Sequence, residues 1–82
     1  MKKLLFFFAK WCDNCKNAKP LMESLSNQIP IQLIDVDLNS PLAIKHKINK
    51  LPTTILIKKG VEISRFEGPR SSQNILKIYN NG

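Results

Sequence analysis

The 82-residue sequence contains few residues able to hold a metal or to cross a membrane. Of the Cys and His side chains that form structural zinc sites, it has only two cysteines and one histidine, His46, which lies among lysines in a predicted helix. A closed structural zinc site needs four ligands, so a zinc or iron–sulfur site would require sharing between two chains, and we expect no metal. No apolar run approaches the roughly 20 residues of a transmembrane helix, so we expect no membrane partner.

Acidic residues are also scarce: six Asp and Glu stand against 13 Lys and Arg, giving a net charge of +7. A basic balance raises the possibility of a nucleic-acid binder. The lysines are scattered and are not interleaved with free aromatic side chains, so we expect no nucleic-acid partner. The positive surface instead favours encounter with acidic proteins. The length fits one domain, residues 1–82.

The opening "MKKLLFFFA" has the basic start of a secretion signal, but its apolar run is short. Leu4 to Ala9 is six residues long and is ended by Lys10, whereas a signal needs about 7 to 15 apolar residues. The run is typical of a strand buried on both faces. Since both cysteines fall in one motif, the chain fits a reducing compartment, and we expect it in the cytoplasm.

The remaining patterns predict the element order β-α-β-α-β-β-α. A helix over about residues 12–27 contains Pro20, where we expect a kink. The next element is a strand, "IQLIDVDL". It is followed by a short helix, "NSPLAIKHKIN", with Ser40 as N-cap and Pro41 at its first position. A hairpin that turns at Lys59-Gly60 comes after it. Ser71 or Ser72 caps the last helix. The helical connections predict parallel pairing of the first three strands, in a three-layer α/β/α sandwich around a four-stranded mixed sheet.

The Cys-x-x-Cys motif follows the first strand and opens the first helix. A helix N-terminus stabilises a thiolate, which is the nucleophile of disulfide exchange. We therefore expect Cys12 to attack a substrate disulfide. Cys15, one turn further on and more sheltered, resolves the mixed disulfide.

Two segments, "FAKWCDNCKNAKP" and "KLPTTILIKKGVEISRFEG", resemble the thioredoxin superfamily over nearly the whole chain. The resemblance implies a thioredoxin-like fold without the family's extra N-terminal strand and helix, which gives the size of a glutaredoxin. It implies that Pro52 is a cis-proline facing the dithiol and that the backbone of Leu51 pairs with substrate. It also implies that Trp11 contributes to docking and that Gly68 allows close approach of a partner.

The sequence departs from that family at two places. A buried Asp that helps deprotonate the resolving cysteine, and the Lys paired with it, align with Phe6 and Leu33. Asp35 and Asp37 are alternative helpers or ordinary polar residues. Between the cysteines stands Asp-Asn in place of Gly-Pro.

The charged residues around the motif are expected to modulate the ionisation of the thiols. Asp13 disfavours the thiolate, while Lys10 and Lys16 favour it.

These features favour a thiol–disulfide oxidoreductase that reduces protein disulfides with electrons from a thioredoxin-reductase-type donor. We expect a monomer with no cofactor beyond the Cys12–Cys15 disulfide. A glutaredoxin-like activity, an oxidant or isomerase, and a docking protein without catalysis remain as alternatives. The chain has Lys-Leu-Pro and a single glycine, Gly68, where glutaredoxins usually show Thr-Val-Pro and Gly-Gly.

Overall fold

The computed structural model describes all residues, 1–82, and its elements follow the predicted order. The four strands and three helices are β1 (Lys2–Phe8), α1 (Asp13–Leu25), β2 (Ile31–Asp35), α2 (Ser40–Lys45), β3 (Thr53–Lys58), β4 (Val61–Glu67) and α3 (Ser72–Asn81). None of the helices has the length and apolar character needed to cross a bilayer.

The strands form one mixed sheet in the order β2-β1-β3-β4. Strand β1 pairs in parallel with β2, but β3 runs antiparallel to β1 and to β4. The prediction of three parallel strands is therefore wrong for β3. Helix α2 has six residues and is about 9 Å long, shorter than the roughly 17 Å of β2. The connection does not carry the chain back across the sheet, so β3 starts at the edge where β2 ends.

The central position of β1 explains its continuous apolar run, because alternate side chains enter different cores. Leu4, Phe6 and Phe8 belong to the core beneath α1 and α3, together with Met22 and Ile75. On the opposite face, a smaller core lies beneath α2; its buried members are Leu5, Phe7, Ile34, Ile55 and Ile57. The predicted three-layer sandwich is confirmed.

Helix α1 continues through Pro20, and the kink there stays a prediction. Helix α2 differs from expectation at both ends. Asn39 is the N-cap, with extended φ and no side-chain cap, while Ser40 is already helical, so the assignment of Ser40 as N-cap is wrong. The helix ends at Lys45, and Lys47, with φ of 54°, has a left-handed conformation that a right-handed helix cannot include.

The hairpin and the final helix match the sequence predictions. Lys59 and Gly60 both have positive φ, 53° and 78°, as a type I′ turn requires. Ser71 caps α3 by accepting a hydrogen bond from the Asn74 N–H at 3.1 Å. At the other end of α3, the Lys2 ammonium donates to the Tyr79 carbonyl at 2.8 Å and the Tyr79 hydroxyl donates to the Lys2 carbonyl at 3.2 Å.

Candidate active site

The two cysteines lie where β1 leaves the sheet and α1 begins. Cys12 is the N-cap of α1, and its Sγ accepts a hydrogen bond from the Cys15 N–H at 3.2 Å. The sulfur thus takes the place of the oxygen that Ser or Asp supplies at most helix starts. This position also lies at the positive end of the helix dipole, which favours a developing thiolate.

The two thiols have different surroundings. Cys12 is 8% exposed and Cys15 only 2%. Burial, and then the adjacent Cys12, raises the pKa of the Cys15 thiol to about 12, while a hydrogen bond to the Ala9 backbone acts in the opposite direction. Cys15 therefore holds its proton in the resting dithiol.

Trp11 stands beside Cys12 with 67% of its surface exposed. Its indole Nε1 donates a hydrogen bond to Asp37 Oδ2 at 2.9 Å. Asp37 follows the end of β2, which is parallel to β1, so both side chains lie at the same edge of the sheet. The sequence left Asp37 as a helper or an ordinary polar residue; in the structure it accepts the indole hydrogen bond. Asp35 instead accepts the Asp37 N–H at 2.9 Å.

A second loop reaches the same edge just before β3. The Leu51–Pro52 peptide bond is cis, as the resemblance implied. Pro52 is buried, and its carbonyl accepts a hydrogen bond from the Gly68 N–H at 2.9 Å. Gly68 has φ of 82°, and a Cβ added there would meet no atom within 4 Å. Backbone conformation therefore favours glycine at position 68, and the space beside it is open.

A groove of about 450 Å³ lies between the cysteine motif and the loop before β3, and seven of its ten lining residues are hydrophobic. Cys12 lies in it with Trp11 and Leu51. The facing wall comes from α2 and the loop after it, through Ala43, Ile44 and Ile48. Sequence reasoning missed this wall; the signal was the apolar run of a short helix, of which Ile44 remains 75% exposed.

The predicted charge modulators lie at the surface. Asp13 and Lys16 form an ion pair at 3.7 Å, with side chains 96% and 65% exposed. Lys10 is also exposed. An exposed pair of this kind contributes little to stability, and the effect of the three residues on the thiols stays a prediction.

No three His, Cys, Asp or Glu side chains come together in an arrangement that could hold a metal ion. His46 lies apart from the cysteines, with its ring centroid 5.7 Å from that of Phe7. Its side chain is half-buried. Burial, and then the charge of Lys45, lowers its pKa.

Comparison with known proteins agrees with this geometry. The Thioredoxin family model matches residues 1–81. Thioredoxin of Chlamydia trachomatis is 33% identical over 78 residues, which are 92% of this chain and 76% of that protein. The crystal structure of Fasciola hepatica thioredoxin superimposes with a TM-score of 0.87 at 31% identity, covering 99% of this chain and 81% of that one. A thioredoxin-2 described as a component of the malaria parasite protein secretion machinery gives 0.90 at 30% identity, covering 100% and 84%.

Proposed function

This chain belongs to the thioredoxin family and is a thiol–disulfide oxidoreductase, and from that membership we propose that it works as a reductant of disulfides in other proteins. Cys12 is the nucleophile and Cys15 the resolving thiol. The observation that carries these roles is the asymmetry of the pair: Cys12 lies at a helix N-terminus on the groove, and Cys15 is 2% exposed with its pKa raised to about 12.

The reaction proceeds by two exchanges. The Cys12 thiolate attacks one sulfur of a substrate disulfide, forming a mixed disulfide and releasing the other substrate cysteine as a thiolate. Cys15 then loses its proton and attacks Cys12 Sγ. The second substrate cysteine leaves as a thiolate and takes up a proton, so the substrate gains two electrons and the chain gains a Cys12–Cys15 disulfide. No other cofactor takes part.

Substrate docking uses the groove beside Cys12. Neither the N–H nor the C=O of Leu51 has a backbone partner within the chain, so both are available to an extended substrate segment. Trp11 and the α2 wall offer apolar surface to the residues that flank the substrate cysteine. Pro52 holds Leu51 beside the dithiol, and the open space at Gly68 admits the partner backbone.

Thioredoxins are reduced by thioredoxin reductase, and a donor of this type completes the proposed cycle here. The chain acts as a single-domain monomer in the cytoplasm, and neither nucleic acid nor a membrane is a partner. The placement of both cysteines in the site supports the reducing compartment.

A trapping experiment tests the roles of the cysteines. With insulin as the disulfide substrate, Cys15→Ser is expected to accumulate a covalent mixed disulfide and to lose turnover. The matched variant Cys12→Ser is expected to form no adduct, because the remaining thiol is buried and protonated. An adduct through Cys15 in Cys12→Ser, or full turnover by Cys15→Ser, contradicts the assignment.

The direction of the reaction is tested by a titration against glutathione redox buffers, followed by Trp11 fluorescence. A midpoint near or below about −230 mV supports a reductant. A midpoint of about −180 to −120 mV favours the alternative of an isomerase or oxidant.

A further inference from the structure

The two thiols open onto different cavities. Cys12, but not Cys15, lines the substrate groove. Cys15, but not Cys12, lines a separate cavity of about 220 Å³, and the other residues around that cavity are Phe8, Ala9, Lys10, Lys16 and Lys19. Water occupies about 30 Å³ per molecule in the liquid, so this space has room for several molecules next to the buried sulfur.

Resolution requires Cys15 to lose its proton, and no buried carboxylate is present to accept it. The only buried polar side chains in the chain are those of Thr53 and Thr54. Phe6, 1% exposed, belongs to the same core as Cys15. The acceptor must therefore come from outside the core.

The charged groups around the cavity are predominantly cationic. Three lysines line it, and Lys19 lies with its ammonium 4.6 Å from the centroid of the Phe8 ring. Lys10 and Lys19 also line the adjoining cavity of about 450 Å³, where Asp35 is the acidic group. Asp13, the other nearby carboxylate, is paired with Lys16 and points into solvent. Cys12 is the remaining titratable group.

We propose that this cavity is the route by which the Cys15 proton leaves to water during resolution, and that Lys10, Lys16 and Lys19 are positioning residues whose charge favours the Cys15 thiolate. The proposal rests on the proposed function. Water accepts the proton, the thiolate forms the bond to Cys12 Sγ, and the substrate cysteine leaves with the electron pair of the broken S–S bond.

The mixed disulfide is the state in which these lysines act. In the resting dithiol, burial and the neighbouring Cys12 raise the pKa of Cys15. Once Cys12 is covalently bound to substrate, it carries no charge that opposes the Cys15 thiolate. The lysine ammonium groups are then the charged groups that line the cavity of Cys15. Because Lys10 and Lys16 lie at the exposed surface, salt screens their effect.

The test separates the two exchanges by stopped-flow. Reduced protein is mixed with dithiodipyridine, an uncharged aromatic disulfide, and thiopyridone is released once by Cys12 and again by Cys15. The lysine variant is Lys10→Gln with Lys19→Gln. The control, Lys58→Gln with Lys77→Gln, removes the same charge from exposed positions on β3 and α3. Rates are measured from about pH 6 to about pH 9.

In the lysine variant, we expect the ratio of the second to the first release rate to fall about tenfold at neutral pH. The midpoint of the pH dependence of the second step should shift upwards by about one pH unit. The control is expected to match the parent, and Lys10→Arg with Lys19→Arg to retain the parent profile. Added salt should slow the second step of the parent more than that of the variant. An unchanged ratio and profile in the lysine variant overturn the inference. A parent that releases only one thiopyridone contradicts the proposed function itself.

Discussion

Phe6 and Leu33 are register partners on the parallel strands β1 and β2. The family resemblance places a buried acid and its lysine at these two positions, and the fold puts them side by side. Both have been replaced by apolar residues, so neither an unpaired carboxylate nor an unpaired ammonium is left in the core.

Returning the acid alone is expected to be costly. Phe6→Asp places a carboxylate at a position 1% exposed and should lower the free energy of unfolding by about 3–5 kcal/mol at neutral pH. Phe6→Leu is the control for lost volume. Denaturant unfolding at several pH values checks the cause: the deficit of Phe6→Asp should shrink as pH falls and the carboxyl group becomes protonated. A deficit equal to that of Phe6→Leu at all pH values contradicts the charge argument.

The two buried threonines should respond oppositely to loss of their hydroxyl groups. Thr54 Oγ1 is buried without a partner, whereas Thr53 Oγ1 donates to the Lys50 carbonyl at 2.6 Å. Thr54→Val is expected to stabilise the protein by about 1 kcal/mol, and Thr53→Val to destabilise it by about 1–2 kcal/mol. Thermal and denaturant unfolding of the two variants measure this difference. Equal effects of the same sign would show that packing outweighs hydrogen bonding here.

The indole hydrogen bond should be visible in fluorescence, since Trp11 is the only tryptophan. Asp37→Ala removes its acceptor and should alter the emission of the reduced protein. It should also raise the KM for a protein disulfide about two- to tenfold, because the freed indole must be ordered on binding. Asp37→Asn keeps an acceptor oxygen and should lie near the parent. An emission unchanged in Asp37→Ala means that the bond does not hold the indole in solution.

Alkaline pH should destabilise the reduced form through Cys15. Its pKa is raised from 9.0 to about 12 in the folded chain, so the unfolded chain loses this proton first. The contribution of this pKa shift to the free energy of unfolding is fully present below about pH 9 and is lost as the pH rises towards 12. The free energy of unfolding falls with a slope of at most about 1.4 kcal/mol per pH unit.

Cys15→Ala isolates this contribution from those of other groups that lose a proton at alkaline pH. Unfolding midpoints of the reduced parent and of Cys15→Ala are compared across the window. Parallel curves would exclude a raised Cys15 pKa as a source of the decline.

Local signals predicted much of the fold. The apolar run of β1, the Lys59-Gly60 turn and the Ser71 cap depend on residues adjacent in sequence, and each was found where expected. The direction of β3 was not predicted correctly, because it depends on the path of the chain after α2.

The candidate site also combines features that were predicted from the sequence with contacts that were not. The dithiol was recognisable from its motif and the cis-proline from the family resemblance, but the bond between Trp11 and Asp37 joins residues 26 positions apart. The cavity beside Cys15 likewise depends on the packing of α1 against the end of β1. Neither leaves a pattern in a single sequence, because the contacts arise only when the strands are aligned.

The reciprocal bonds between Lys2 and Tyr79 have a practical consequence for how the molecule can be handled. They hold the first strand and the last helix together where β1 begins, whereas the dithiol lies where β1 ends. Residues 2 and 79 therefore lie about 20 Å or more from the thiols, since β1 rises about 3.3 Å per residue. A purification tag, a fluorophore or a surface tether attached near either residue would lie equally far from the dithiol. Immobilised protein should therefore keep its reactive edge turned towards the solution.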